Sequence, residues 1–334
     1  MERDRAVSDM DARPLSGESV AAWSRLREET ERVDRTGAHV GATDLAEILA
    51  APNLDARQDT LGLWDGPRLA AYAVLHTPHG AVDVARFQGD AAVHPEWRRH
   101  GLGTRLVEWL EERARAQHAA ERELSALPGE LLLEGKAGDG NLLRLTEKLG
   151  YTPCRWWFDM KRPVGDAPAG SPADRDGTRP IPYEAVYDEA ARLAHNDAFR
   201  DHWNFVPMDP ADWRTWVTGT ESFRPALSRL LMAGDEVAAY LIAHESEAET
   251  AATGRRDCHV SLLGTRRARR GRGSAQALLT DVLHAAGDAG YDTVSLVVDT
   301  DNPSGALGIY ENAGFAVDRK SVTYARPLNG PGRT

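Results

Sequence analysis

The sequence predicts an α/β protein built from two tandem copies of one unit, each a mixed, mostly antiparallel sheet flanked by helices. Three observations predict it. The chain has 334 residues, which at roughly 150 per domain suits two separate cores. The segment Pro163 to Gly177, PVGDAPAGSPADRDG, has no apolar period and cannot offset its ordering entropy by burial, so 163–177 reads as a linker. The arms on either side, 12–162 and 178–326, repeat one order of elements.

Each arm opens on a helical stretch, 16–51 and 184–219. A hairpin of apolar strands follows at 59–76 and 226–246, with turns at Asp65-Gly66 and Gly234-Asp235. Next come a longer strand, 82–93 or 257–264, and a basic glycine-rich turn, 94–101 or 265–273. The helix after the turn spans 102–118 in one arm and 274–289 in the other. In the second, Ala275, Leu278, Leu279, Val282, Leu283 and Ala286 form a stripe at spacings of three and four, the mark of a helix lying on a sheet. The following strand is 129–134 or 292–298, and in the latter Val294, Leu296 and Val298 alternate with Thr293, Ser295 and Asp299. A short helix, 140–149 or 303–313, and a last strand, 151–162 or 315–325, complete each arm.

Composition narrows the function. A net charge of −11 disfavours a protein whose task is gripping nucleic acid. No apolar run reaches the roughly 18 residues of a membrane span. The start, MERDRAVSDMDARP, lacks the apolar core of a secretory signal, and Cys154 and Cys258 cannot build a disulfide framework, so a cytoplasmic setting is expected. Only four lysines stand among 40 basic residues, a bias that fits GC-rich, actinobacterial coding.

The two turns carry the chemistry. Residues 93–103 read VHPEWRRHGLG and residues 270–275 read RGRGSA, each between an apolar strand and an amphipathic helix. Unpartnered N–H groups at a helix start, the helix dipole and glycine together favour an anion there, and arginine adds forked donors. Neither turn has the Gly-Lys-Ser/Thr ending of a Walker loop or the third glycine of a dinucleotide fingerprint.

The pattern V-x-P-x-x-R-x-x-G-x-G in Val93, Pro95, Arg98, Gly101 and Gly103 resembles the acyl-CoA pyrophosphate motif of the GCN5-related N-acetyltransferases (GNAT). Arg270, Gly273 and Ala275 repeat it, with Arg267 in place of the proline. EKLGY (147–151) and DTDNPSGALGIYENAGF (299–315) are similar to the family's last helix and the glycine that closes it. Two copies in order resemble the tandem acetyltransferases of the mycothiol synthase type. The resemblance implies two tandem GNAT domains and acetyl transfer from acetyl-CoA to the amine of a small-molecule acceptor. It also implies cofactor contacts at Val93, Arg98, Arg99, His100, Gly101, Leu102, Gly103 and Thr104. The matching set in the second arm is Leu263, Thr265, Arg270, Gly271, Arg272, Gly273, Ser274 and Ala275, joined by Asn302. A strand bulge near Leu263 is expected to present an oxyanion donor.

An alkylamine of pKa near 10 is only about 1 part in 10³ neutral at pH 7, so a base matters, and the departing thiolate benefits from an acid. The family's usual acid, a tyrosine four residues before the closing glycine, falls on Tyr310 in the second arm and on Thr146 in the first. Tandem relatives carry an ionisable base eleven positions before the motif's Arg/Gln. That position is His259 in the second arm and Phe87 in the first, with Glu245, Glu247 and Asp257 as rivals to His259. Catalysis is therefore expected in 178–326, with 12–162 non-catalytic and still able to hold acetyl-CoA.

For the acceptor, the segment HNDAFRDHWN (195–204) offers Asn196, Asp201, His202 and Trp203, with Glu245 nearby. An ordinary amphipathic helix end explains the same residues. Trp156, Trp157 and Phe158 are expected to be core or seam. No metal, nucleic acid or membrane partner is expected, and the chain should be a monomer or homodimer. The acceptor could equally be an antibiotic, a metabolite or a protein N-terminus, and a non-catalytic acyl-CoA sensor is the alternative outside enzymes.

Overall fold

A computed structural model of the chain describes residues 10–78, 80–166, 173, 176, 178–301 and 305–329. The elements of the first arm are β1 (Asp11–Arg13), α1 (Val20–Asp34), α2 (Ala42–Ala50), β2 (Thr60–Asp65), β3 (Arg68–His76), β4 (Ala85–Val93), α3 (Leu102–Ala120), α4 (Arg122–Ser125), β5 (Gly129–Lys136), α5 (Gly140–Leu149) and β6 (Thr152–Pro163). Those of the second are β7 (Ile181–Pro182), α6 (Asp188–Ala198), α7 (Pro210–Trp213), β8 (Arg229–Ala233), β9 (Glu236–His244), α8 (Glu247–Thr253), β10 (Asp257–Thr265), α9 (Ser274–Asp288), β11 (Thr293–Asp299), α10 (Ala306–Asn312) and β12 (Ala316–Pro327). The expected order holds in both arms. The short strands β1 and β7 and the helices α4 and α8 are additions.

The chain divides into two compact units, and the division is not sequential. Unit 1 is Met1–Arg155 with Ser321–Thr334, and unit 2 is Trp156–Lys320. The expected boundaries, 12–162 and 178–326, need correcting for this reason. The last strand of each arm pairs into the other unit's sheet: β6 runs antiparallel to β11, and β12 runs antiparallel to β5. A strand's own alternation does not name its partner, so the exchange is invisible in the sequence. The expected linker also begins too early. Pro163 ends β6, and Val164 donates its N–H to the Asp292 carbonyl at 3.1 Å.

Unit 1 orders its strands β1-β2-β3-β4-β5-β12, and unit 2 orders them β6-β11-β10-β9-β8-β7; β4–β5 and β10–β11 are the parallel pairs. Two apolar layers flank each sheet. In unit 1, α3 buries Leu102, Leu106, Val107, Leu110 and Ala114 on one face, while Trp23, Leu26 and Leu45 from α1 and α2 cover the other. In unit 2, α9 buries Leu278, Leu279, Val282 and Leu283 on one face, and Ala191, Ala194 and Trp213 from α6 and α7 cover the other. Fully burying one such leucine or valine is worth about 1.5–3 kcal/mol, so these stripes set which face each helix presents.

Candidate active site

In unit 2, β10 and β11 pair in parallel from Asp257 with Thr293 to Val260 with Leu296, and there the ladder ends. β10 runs on to Thr265 against β9 alone. A bulge at Ser261 shifts the β9 register between Val260 and Leu262. Val260 packs against α9 whereas Leu262 joins the α6 layer, a change of face that needs one extra residue. The bulge therefore lies two residues before Leu263, where it was expected. Unit 1 parts in the same way after Gly89 and Leu133. Each unit thus holds a wedge between two parallel strands, opening toward its glycine-rich turn.

Both turns have one backbone shape. Gly271 and Gly273 have φ of +78° and +82°, and their counterparts Arg99 and Gly101 have +70° and +86°. The N-caps of α3 and α9 are Gly101 and Gly273, which have no side chain to cap the helix start, an arrangement compatible with an anion there. Buried Leu102 and Ser274 anchor the helix starts, and Thr104 accepts from Lys148 Nζ at 3.3 Å. The motif arginines also have partners within the protein. Arg98 donates to the Val93 carbonyl at 3.0 Å and makes a two-pronged ion pair with Asp34, both contacts 2.6 Å. Arg270 donates to the Ala198 carbonyl at 2.7 Å. Each ties its turn to the preceding helical layer. Arg272 is paired with Asp176. Asn302 lies outside the described residues.

Tyr310, on α10, is buried in the α9 layer, and its hydroxyl makes no hydrogen bond among the described residues. Burial pushes its pKa up to about 12. His259 points to the opposite face of the sheet from Cys258 and Val260, one residue before the wedge opens. Burial lowers its pKa below the ordinary histidine value, against the opposing pull of Asp257, Glu249 and Asp159, so the ring is neutral at pH 7. In unit 1 the matching positions hold Phe87, fully buried, and Thr146, whose hydroxyl is taken up by the Leu142 and Leu143 carbonyls at 2.9 and 3.0 Å.

The rival carboxylate Glu245 is committed elsewhere. It accepts from Arg224 at 2.8 Å, from Arg256 at 2.9 Å and from the Tyr291 hydroxyl at 2.6 Å. Burial alone would raise its pKa; the hydrogen bonds from Arg256, Tyr291 and Arg224 overcome that and hold it down to about 2. A carboxylate so bound neither takes a proton near pH 7 nor has an oxygen spare for an acceptor. Asn196, likewise, spends both ends of its amide on the Met208 backbone, at 2.9 and 3.0 Å. Asp201 pairs with Arg267 at 3.3 Å, and His202 Nδ1 lies 3.2 Å from the Trp203 carbonyl oxygen. Trp203 meets Trp157, with ring centroids 6.1 Å apart.

Two groupings escaped the sequence reading. Asp257, Ser295 and His259 form a hydrogen-bonded row across β10 and β11. His195 Nδ1 lies 2.6 Å from the Tyr240 hydroxyl beneath the α6 layer, and the matching Tyr72 in unit 1 accepts from Arg27 at 2.5 Å. The repeated Ala-Ala-Tyr-x-x-x-His of 70–76 and 238–244 signalled the second grouping. No group of three or more His, Cys, Asp or Glu able to hold a metal occurs among the described residues, and no helix there is long and apolar enough to cross a membrane.

A mixed sheet with a wedge between two parallel strands and a glycine-rich helix start, present twice, defines an acetyltransferase class. The acetyltransferase (GNAT) family model matches residues 23–130 and 189–315, and the chain belongs to that family. Among its relatives, the mycothiol acetyltransferase of Kineococcus radiotolerans is 30% identical over 321 residues, covering 93% of this chain and 94% of that one. The mycothiol acetyltransferase of Thermomonospora curvata is 28% identical, with 86% and 89% covered. The fold is shared with a GCN5-related N-acetyltransferase from Sphaerobacter thermophilus, with a TM-score of 0.72, 24% identity and 97% of both chains covered. It is shared also with a tandem GNAT protein from the clavulanic acid biosynthesis pathway, with a TM-score of 0.70, 17% identity, and 97% of this chain and 100% of that one covered.

Proposed function

We propose that this acetyltransferase moves an acetyl group from acetyl-CoA to the primary amine of a small-molecule acceptor, in unit 2, by direct attack within a ternary complex. The observation that carries the reading is the asymmetry between units. Both have the wedge and the turn, and only unit 2 has Tyr310 and His259 where unit 1 has Thr146 and Phe87. The two groups belong to opposite faces of the sheet. That suits a thioester attacked from one side and losing its thiolate toward the other.

In this reading the backbone N–H groups at the start of α9 hold the pyrophosphate, and the wedge takes the pantetheine arm. His259, neutral at pH 7, accepts the proton of the attacking amine as the C–N bond forms. Tyr310, kept protonated by its raised pKa, gives a proton to the sulfur as the C–S bond breaks. Unit 1, with its intact turn, binds acetyl-CoA without turning it over.

For the acceptor, we take the amine acetylated in mycothiol formation, the cysteinyl amine of a glucosaminyl-inositol thiol. Full-length similarity to mycothiol acetyltransferases supports this choice. The test is thiol release from acetyl-CoA by the purified chain with that acceptor, beside a panel of unrelated amines. Fast release with the thiol sugar alone is the expected result. Release with another amine only would overturn the acceptor, and release with none would overturn the activity.

A further inference from the structure

The row Asp257, Ser295, His259 has a direction. Both oxygens of the buried Asp257 side chain act as acceptors, Oδ1 from the Thr293 hydroxyl and Oδ2 from the Ser295 hydroxyl, and Lys161 Nζ stands 3.6 Å away. Ser295 has one proton and donates it to Asp257. Its oxygen, 3.0 Å from His259 Nδ1, is therefore left to accept, and the Nδ1 must carry the hydrogen. A neutral imidazole has one N–H, so Nε2 keeps its lone pair, and among the described residues no hydrogen bond occupies it.

We propose that Ser295 and Asp257 are positioning residues that hold His259 in its Nδ1–H tautomer, so that Nε2 is the atom that takes the proton from the acceptor amine. The proposal deepens the assignment of His259 as base and rests on that reading. The step is balanced: the amine nitrogen forms a bond to the acetyl carbon and releases one proton to Nε2, giving an imidazolium. Nδ1–H stays on Ser295 Oγ, the hydroxyl proton stays on Asp257, and no proton passes further.

The neighbouring histidine shows the contrast. His244, directly opposite His259 on β9, lies 2.9 Å through Nε2 from the Val217 carbonyl and 2.8 Å through Nδ1 from the Ser261 hydroxyl. The carbonyl requires Nε2–H, and Nδ1 faces the Ser261 hydroxyl, which also lies 3.4 Å from the Ile242 carbonyl, so both ring nitrogens of His244 have partners. The charged and titratable groups around His259 are Asp159 and Lys161 on β6, Glu249 on α8, Asp257 on its own strand and His244. Of these, Asp257 alone is joined to the ring through a hydroxyl.

The tautomer can be read without turnover. In the ¹⁵N-labelled full chain, long-range proton–nitrogen correlations distinguish a protonated ring nitrogen from a bare one, and His259→Gln assigns the signal. The wild type should show Nδ1–H, Ser295→Ala should convert it wholly or partly to Nε2–H, and Ser295→Thr should restore it. In parallel, kcat/KM for the amine should fall about 10- to 100-fold in Ser295→Ala, by analogy with the loss of an outer partner from a metal-bound histidine. An Nε2–H signal in the wild type overturns the proposal, as does a Ser295→Ala spectrum identical to the wild type. A tautomer change in Ser295→Ala with unaltered turnover supports the row and counts instead against His259 as the base.

Discussion

Replacing Tyr310 with phenylalanine separates catalysis from folding more cleanly than any other change in this chain. The ring lies among the side chains packed against α9, with Phe315 at 6.3 Å between centroids, and phenylalanine keeps every apolar contact. The hydroxyl holds no partner among the described residues, so its removal leaves no donor or acceptor stranded. The stability change should stay within about 0.5 kcal/mol, the usual range for substitutions that break nothing. That is a shift of roughly 2 °C or less in Tm for a unit of this size. Turnover should fall about 10²-fold, or about 2.7 kcal/mol in barrier height, if the hydroxyl supplies the leaving thiolate's proton. Steady-state assay of thiol release, with thermal denaturation on the same preparation, measures both. Wild-type turnover in the variant refutes the assignment of Tyr310 as acid; lost turnover with a large drop in Tm refutes the argument that the hydroxyl has no structural part.

Three further outcomes are expected. An alanine at Gly264 would bring its Cβ within 2.5 Å of Tyr240 Cε1, displacing the ring and its bond to His195, at a cost of about 2–4 kcal/mol by chemical denaturation; a cost near zero would mean that the ring is free to move. Glu245→Gln should destabilise by about 1–2 kcal/mol, because it removes the charge from the bonds to Arg224 and Arg256, both of which keep access to water. In the wild type, the folded carboxylate titrates at about 2 and the unfolded one at the ordinary 4.5. Its stabilisation is therefore complete above pH 4.5 and lost as pH falls through about 2, visible as an acid unfolding limb that the variant lacks. Finally, the lowered pKa of His259 means that kcat/KM should rise with pH along a limb centred below 6.5. The same shift makes protonation oppose folding as pH drops below 6.5, and His259→Gln should abolish the kinetic limb; a limb that persists assigns the base to another group.

The architecture was open to reading because its signals are local. The stripe from Ala275 to Ala286, the alternation in 293–299 and the glycines at 66 and 234 each obey a short-range period or dihedral demand. The family resemblance pointed to Tyr310 by counting back from Gly314 and to His259 by counting back from Arg270. Pairing across long separations could not be read in this way. Nothing in Thr152–Pro163 says that it closes against β11, and nothing in Glu245 alone says that Arg224, Arg256 and Tyr291 converge on it. The partners of the turn arginines were hidden for the same reason: Asp34 and the Ala198 carbonyl, 64 and 72 residues away, bind Arg98 and Arg270.

The crossed ending of the two arms makes the duplication irreversible in practice. Cutting anywhere in 163–177 yields two fragments, each with its neighbour's outermost strand attached and its own left behind, so neither is a copy of an ancestral single module. A truncation that removes Ser321–Pro327 would strip β5 of its antiparallel neighbour, injuring the unit encoded first while sparing the sheet beside it in the gene. Engineers seeking unit 2 alone should therefore graft Trp156–Lys320 as one contiguous piece, beginning inside β6.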